Sequence, residues 1–133
     1  MLFNRETDYA IRVIRNLSMD APKSISSIAV KEHISEAIAY KVSRKLHKGG
    51  IIKGVRGSNG GYMLVRPLSE ITLYDVYRIM EPNSYVSECV RGNVHCPNNQ
   101  IDSPCMIHAE LERIQHDFFE NLNSRSLADI LNA

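Results

Sequence analysis

No run of about 18 apolar residues occurs anywhere in the 133-residue chain, so no segment reads as a membrane-spanning helix. Nor does the N-terminal stretch read as a secretory signal, because Arg5, Glu6, Asp8, Arg12 and Arg15 interrupt it. No Ser/His/Asp set, pair of catalytic carboxylates or nucleotide loop can be assembled, and no Walker lysine follows the glycines at Gly57, Gly60 and Gly61. These absences argue against an enzyme. Cysteine is scarce and odd in number, with three in all, which excludes a closed disulfide framework and points to a reducing cytoplasm. The length suits one compact domain, or a small domain with a C-terminal extension, whose core requires no covalent staples.

Those three cysteines are nevertheless close together. Cys89, Cys96 and Cys105, with His108 one helical turn after the last, read as C-x(6)-C-x(8)-C-x(2)-H. Thiolates are soft ligands for iron-sulfur clusters, zinc or copper(I), and ligands this close in sequence can converge on one centre. The spacings miss the short knuckle of a compact zinc finger, and three unrelated, partly buried thiols are the alternative.

Charge is distributed as unevenly as cysteine. The net charge is +1, but from residue 37 to residue 69 there are seven basic side chains, Lys41, Arg44, Lys45, Lys48, Lys53, Arg56 and Arg66, and no acidic one. The remainder of the chain is left with nine basic and fifteen acidic residues. A cationic block in an otherwise acidic chain is an electrostatic footprint for a polyanion, against the alternative of a solvated face.

The pattern around that block predicts a mainly α fold with a small β-wing. Asn4 caps a first helix with Ala10, Val13, Ile14 and Leu17 on one stripe. Ser24 caps a short second helix running to about His33, and Ser35 caps a third from Glu36 to about Lys48, stopped by Gly49-Gly50. The few residues separating them give helix-turn-helix spacing. On the third helix Ile38, Val42 and Leu46 would face the core, turning Tyr40, Lys41, Arg44, Lys45 and Lys48 outward as a major-groove recognition helix requires. Ile51 to Val55 and Tyr62 to Val65 then read as two strands joined at Arg56, Gly57, Ser58, Asn59, Gly60 and Gly61. The tip of this wing would offer Arg56 to a minor groove.

Beyond the wing, Thr72 to Asp75 starts a fourth helix with Val76, Ile79 and Met80 inward, ended by Pro82. A polar loop carries Cys89 and Cys96. Pro104 opens a long last helix with Cys105 and His108 in its first turn and an apolar seam of Ile107, Leu111, Ile114, Phe118 and Leu122, suited to a partner helix. The division expected is a winged helix-turn-helix DNA-binding domain over 1–82, a cysteine loop over 83–104, and a dimerisation helix with a C-terminal segment over 105–133.

This order resembles the Rrf-type bacterial winged-helix transcription regulators, the family that includes IscR, NsrR and CymR. The residues that carry the resemblance are Thr7-Asp8-Tyr9-Ala10, Ile34-Ser35, Val55-Arg56-Gly57 with Gly60-Gly61-Tyr62, Ile71-Thr72-Leu73 with Glu81, the cysteine triplet, and Ser126 to Leu131. The resemblance implies a cytoplasmic homodimer on a double-stranded DNA operator, governed by an iron-sulfur cluster (2Fe-2S or 4Fe-4S) on Cys89, Cys96 and Cys105. The fourth ligand differs among such proteins: a histidine matched by His108, or an aspartate of the other subunit matched by Asp8. The cysteine spacings of six and eight depart from the more even spacing, near five, of the family. The recognition helix also lacks the Ser-Tyr-Leu-Glu-Gln pattern of IscR-like members, so no operator sequence carries over. Two other readings stand beside a cluster-governed regulator: a DNA-binding regulator with a thiol switch or zinc site, and an iron-sulfur carrier or redox enzyme.

Overall fold

The computed structural model describes residues 1–132; Ala133, the end of the expected C-terminal segment, lies outside the described residues. Helices α1 (Arg5–Ile14), α2 (Ile25–Glu32) and α3 (Glu36–Lys48) lead into strands β1 (Ile52–Val55) and β2 (Gly61–Leu64), followed by α4 (Leu73–Met80), α5 (Met106–Asn123) and α6 (Leu127–Leu131). Short 3-10 turns lie at Leu68–Glu70 and Glu88–Val90. Asn4, Ser24, Ser35, Thr72 and Ser126 each accept a backbone N–H at a helix start, and Thr72 and Asp75 complete a reciprocal capping box.

One core joins the first four helices to the strands. Ala10, Val13, Ile14 and Leu17 meet Ile25, Ile28, Ala29, Val42, Leu46, Ile71 and Val76, and α6 adds Leu127. Leu17 is buried although α1 has already ended at Ile14, because the chain after the helix still covers the core. On α3 the buried set is Ala39, Val42, Ser43 and Leu46, with Ile38 only half-buried. The inward stripe thus lies one position off the predicted one at its start, and Ser43 satisfies its hydroxyl on the Ala39 carbonyl at 2.7 Å. On α4 Tyr77 takes the buried place expected of Ile79, since its ring meets Phe3 and Phe118. The strands start and stop within a residue of their predicted ends, paired antiparallel with Ile52 opposite Leu64 and Val55 opposite Gly61.

Polar clamps fix the helices against one another. Glu32, buried at the end of α2, accepts from Arg15 Nε at 2.7 Å and from Asn16 Nδ2 at 2.6 Å. The Arg15 guanidinium, and then Asn16, hold the Glu32 carboxyl below the usual carboxylate range. At the other end of α1, Thr7 Oγ1 and the Asn4 backbone N–H both donate to Glu81 Oε2 beyond α4. A buried Thr7 and its carboxylate therefore lock α1 to the C-terminal end of α4.

Candidate nucleic-acid interface and cysteine site

Helix α3 lies across α1 and α2 and turns Tyr40, Lys41, Arg44, Lys45 and Lys48 to solvent. The structure therefore places all the predicted outward residues on one exposed face. Their charges are not equally available. Glu6, from the first turn of α1, takes Lys41 Nζ at 2.6 Å on one carboxylate oxygen and Lys45 Nζ at 2.5 Å on the other. The Lys41 contact, then that of Lys45, pulls the Glu6 carboxyl below its ordinary range. Arg44 and Arg56 enter none of the ion pairs among the described residues. Sequence reading missed this clamp, which joins residues 39 apart and leaves no local pattern.

The wing is anchored on both sides. Tyr62 exchanges two backbone hydrogen bonds with Lys23, both 2.9 Å, while β2 pairs with β1 on its other edge. The His47 ring of α3 meets the Tyr62 ring edge-on at 6.2 Å, tying the wing base to α3. At the tip, Gly60 N–H donates to the Gly57 carbonyl at 3.0 Å, and Arg56, Gly57, Ser58 and Asn59 are all exposed. A compact turn thus presents a cation and three small or polar groups to solvent.

The cysteine site is less closed. Cys89 lies in the 3-10 turn that packs on α5, with its Sγ 3.4 Å from Ser87 Oγ. Cys105 is the N-cap of α5 and not its first helical residue: its Sγ accepts from the His108 N–H at 3.4 Å, and its own N–H donates to Asn99. All three thiols are free and half-buried. His108 places Nε2 3.2 Å from Glu112 Oε1, while its Nδ1 is buried and without a partner. Asp8 stands on α1 in an ion pair with Arg12 at 3.1 Å. Among the described residues, no three His, Cys, Asp or Glu side chains are gathered tightly enough to hold a metal ion. The expected ligand set of Cys89, Cys96, Cys105, His108 and Asp8 is thus present in chemistry and unassembled in geometry.

The apolar seam of α5 divides between two jobs. Phe118 and Phe119 turn inward onto Tyr77 and Tyr74, and Gln115 is buried with its Oε1 accepting from the Val86 N–H at 2.7 Å. Ile107 and Ile114 remain 70% and 40% exposed. Leu111, Phe118 and Leu122 are half-buried within the chain, so the outward stripe is narrower than the predicted one.

Comparison with known proteins agrees with this architecture. The Rrf2 family model, described as an iron-dependent transcriptional regulator, matches residues 3–133. The chain is 35% identical over 136 residues to protein aau3 of Rhizobium meliloti (strain 1021), spanning 100% of this chain and 86% of that protein. Among solved structures, T. potens IscR aligns with a TM-score of 0.74 at 26% identity, over 98% of this chain and 85% of that one. CymR, the global cysteine regulator of B. subtilis, aligns with a TM-score of 0.73 at 24% identity, over 96% and 94% of the two chains. The family model and the CymR structure are both described as regulators, and no helix among the described residues is long and apolar enough to cross a membrane. A winged helix-turn-helix with a basic third helix, matched over nearly its whole length by one regulator family, makes this chain a member of the Rrf2 family of DNA-binding transcription regulators.

Proposed function

We propose that the chain acts in the cytoplasm as a homodimeric regulator whose operator affinity is set by an iron-sulfur cluster on Cys89, Cys96, Cys105 and His108. The observation that carries this reading is His108. Nε2 is turned toward Glu112 Oε1 at 3.2 Å, and Nδ1 is buried and has no partner among the described residues. A carboxylate on one ring nitrogen and a vacant second nitrogen is the arrangement that orients a metal-ligating histidine. Cys105, which accepts the His108 N–H, lies beside it on the same helix start. A cluster would supply thiolate-bound iron that responds to oxidation or nitric oxide. The residues of this chain would hold it where loop 83–104 meets α5. Asp8, engaged with Arg12 on α1, is the weaker candidate for the fourth ligand.

The loop has few restraints against such assembly. Its internal bonds are short-range, such as Asn99 N–H to the Cys96 carbonyl at 3.0 Å and the pair between Gln100 and Ser103. Gathering the thiolates therefore disturbs little regular structure. Anaerobically purified protein is expected to be brown, with visible charge-transfer absorption and iron and sulfide on analysis, and Cys96→Ser should bleach it. The second reading is a thiol switch or zinc site, and the free, half-buried state of all three thiols is what supports its thiol-switch form. A colourless protein carrying stoichiometric zinc, or three titratable thiols and no iron, would establish it in place of the first.

DNA contact is assigned to Tyr40, Lys41, Arg44 and Lys45 on α3 and to Arg56, Gly57, Ser58 and Asn59 on the wing. Within that set the ion pairs rank the cations. Among the described residues Arg44 has no intramolecular competitor, so Arg44→Ala should cost about 1–3 kcal/mol of operator binding if it reads a base edge. Lys41→Ala should cost less, because Glu6 already compensates that charge. Fluorescence anisotropy with operator and random duplexes separates base reading from phosphate contact. Unchanged operator affinity in Arg44→Ala would remove Arg44 from the interface.

A further inference from the structure

Glu6 lies outside every motif that the regulator reading uses, yet it is the only carboxylate among the described residues that touches the outward face of α3. Its two oxygens each hold one ammonium of that face, Lys41 at 2.6 Å and Lys45 at 2.5 Å. A carboxylate bridging two lysines presents them with the same chemistry as a phosphate oxygen: compact negative charge at hydrogen-bonding distance. Both lysines are about half exposed, at 55% and 43%, so the pairs sit where a DNA backbone would compete for them. Arg44, between the two lysines in sequence and on the same exposed face, carries no such counter-charge among the described residues.

We propose that Glu6 is a specificity-determining residue that acts as an internal phosphate mimic, withholding Lys41 and Lys45 from DNA backbone that offers nothing else. On random duplex, binding rests almost wholly on phosphate contacts and counterion release. To use both lysines there, the protein must open the Glu6 pairs and leave a carboxylate facing a polyanion. On the operator, base contacts from Arg44 and the neighbouring face supply the discriminating interaction, and the Glu6 pairs stay closed at the rim of the interface, each lysine reaching DNA only with the N–H donors that Glu6 leaves free. Glu6 therefore lowers affinity for random DNA more than affinity for the operator. The inference rests on α3 being the DNA-contacting helix.

The test is Glu6→Gln, which keeps the shape and removes the charge, measured by anisotropy against random and operator duplexes over a range of salt. Each further phosphate engaged adds about 0.9 to the salt slope, or about a fivefold gain in random-DNA affinity near physiological salt, so a dimer engaging one per protomer gains about 1.8 in slope and about thirtyfold in affinity. The expected result is that gain on random duplex, a change of under about twofold on operator, and wild-type behaviour in Glu6→Asp, which restores the charge. A Glu6→Gln protein with an unchanged salt slope on random DNA, or with equal gains on both duplexes, overturns the proposal. Arg44→Ala separates the two levels of the argument. If it weakens operator binding while Glu6→Gln changes nothing, the mimic alone fails; if Arg44→Ala is also silent, the placement of DNA on α3 fails with it.

Discussion

Gly61→Ala is expected to lower the midpoint of thermal unfolding by about 10 °C and to abolish wing-dependent DNA binding, whereas Gly57→Ala, four residues earlier, costs a fraction of that. The difference is steric. A Cβ on Gly61 would stand 2.0 Å from the Lys23 carbonyl oxygen and 2.5 Å from its carbonyl carbon, both backbone atoms. Those atoms cannot swing aside, because Lys23 and Tyr62 are locked together by two 2.9 Å hydrogen bonds. Gly61 also has φ of +151°, a backbone state that a side chain resists, so strain adds to overlap. Gly57 has φ of +113°, but nothing lies within 4 Å of the Cβ it would gain, so only the conformational cost of about 1–2 kcal/mol remains. Gly61→Ala must part β2 from the Lys23 segment, and Arg56 to Asn59 then lose their fixed place at the end of the wing. Circular-dichroism melts of the two variants decide the matter. A Gly61 variant as stable as wild type would mean that the Lys23 bridge is dispensable.

How much of this was legible beforehand depended on whether the signal was local. Asn4, Ser24, Ser35 and Thr72 marked four helix starts because capping is settled within three residues, and each does accept its backbone N–H. The wing was legible because glycines at fixed places between two β-type runs leave few other conformations. By contrast Glu6 with Lys41 and Lys45, Arg15 with Glu32, and Thr7 with Glu81 join residues from 17 to 74 positions apart, and no periodicity announces them. The resemblance to the Rrf-type regulators marked several of the right places without their reasons. Thr7 turns out to anchor Glu81. Ile71-Thr72 and Ser126-Leu127 turn out to bridge one another, with Leu127 N–H donating to the Ile71 carbonyl at 2.7 Å. The helix after Ser126 was not read as one, since five residues give too short a period. The α5 seam was over-read for a related reason: heptad-like spacing cannot say which side of a stripe is used by the chain's own Tyr77 and Phe119.

That division of α5 decides how the proposed dimer should be broken. Phe118 stacks edge-on to Tyr77 at 5.6 Å within one chain, so a charge there would damage the fold as well as any interface. Ile107 and Ile114 lie two turns apart on α5 and are exposed, Ile114 at the rim of the cleft that Tyr77 and Phe118 line, with Met106 73% exposed beside them. Burying an aliphatic side chain of this size is worth roughly 1.5–3 kcal/mol. An isologous two-fold contact counts every such residue twice, so this short stripe can hold two chains together. Changing Ile107 and Ile114 together to Glu replaces that burial with four like charges across the two-fold axis. The double variant is expected to melt near the wild-type temperature, sediment as a monomer at micromolar concentration, and bind a full operator about a hundredfold or more weakly, since one recognition helix no longer tethers the other. Binding to a half-site should change little, because α3 and the wing are untouched. If the wild-type protein itself sediments as a monomer, or if the variant stays dimeric with full operator affinity, the two-fold axis does not pass through α5, and the recognition helices must be paired by another surface or act singly.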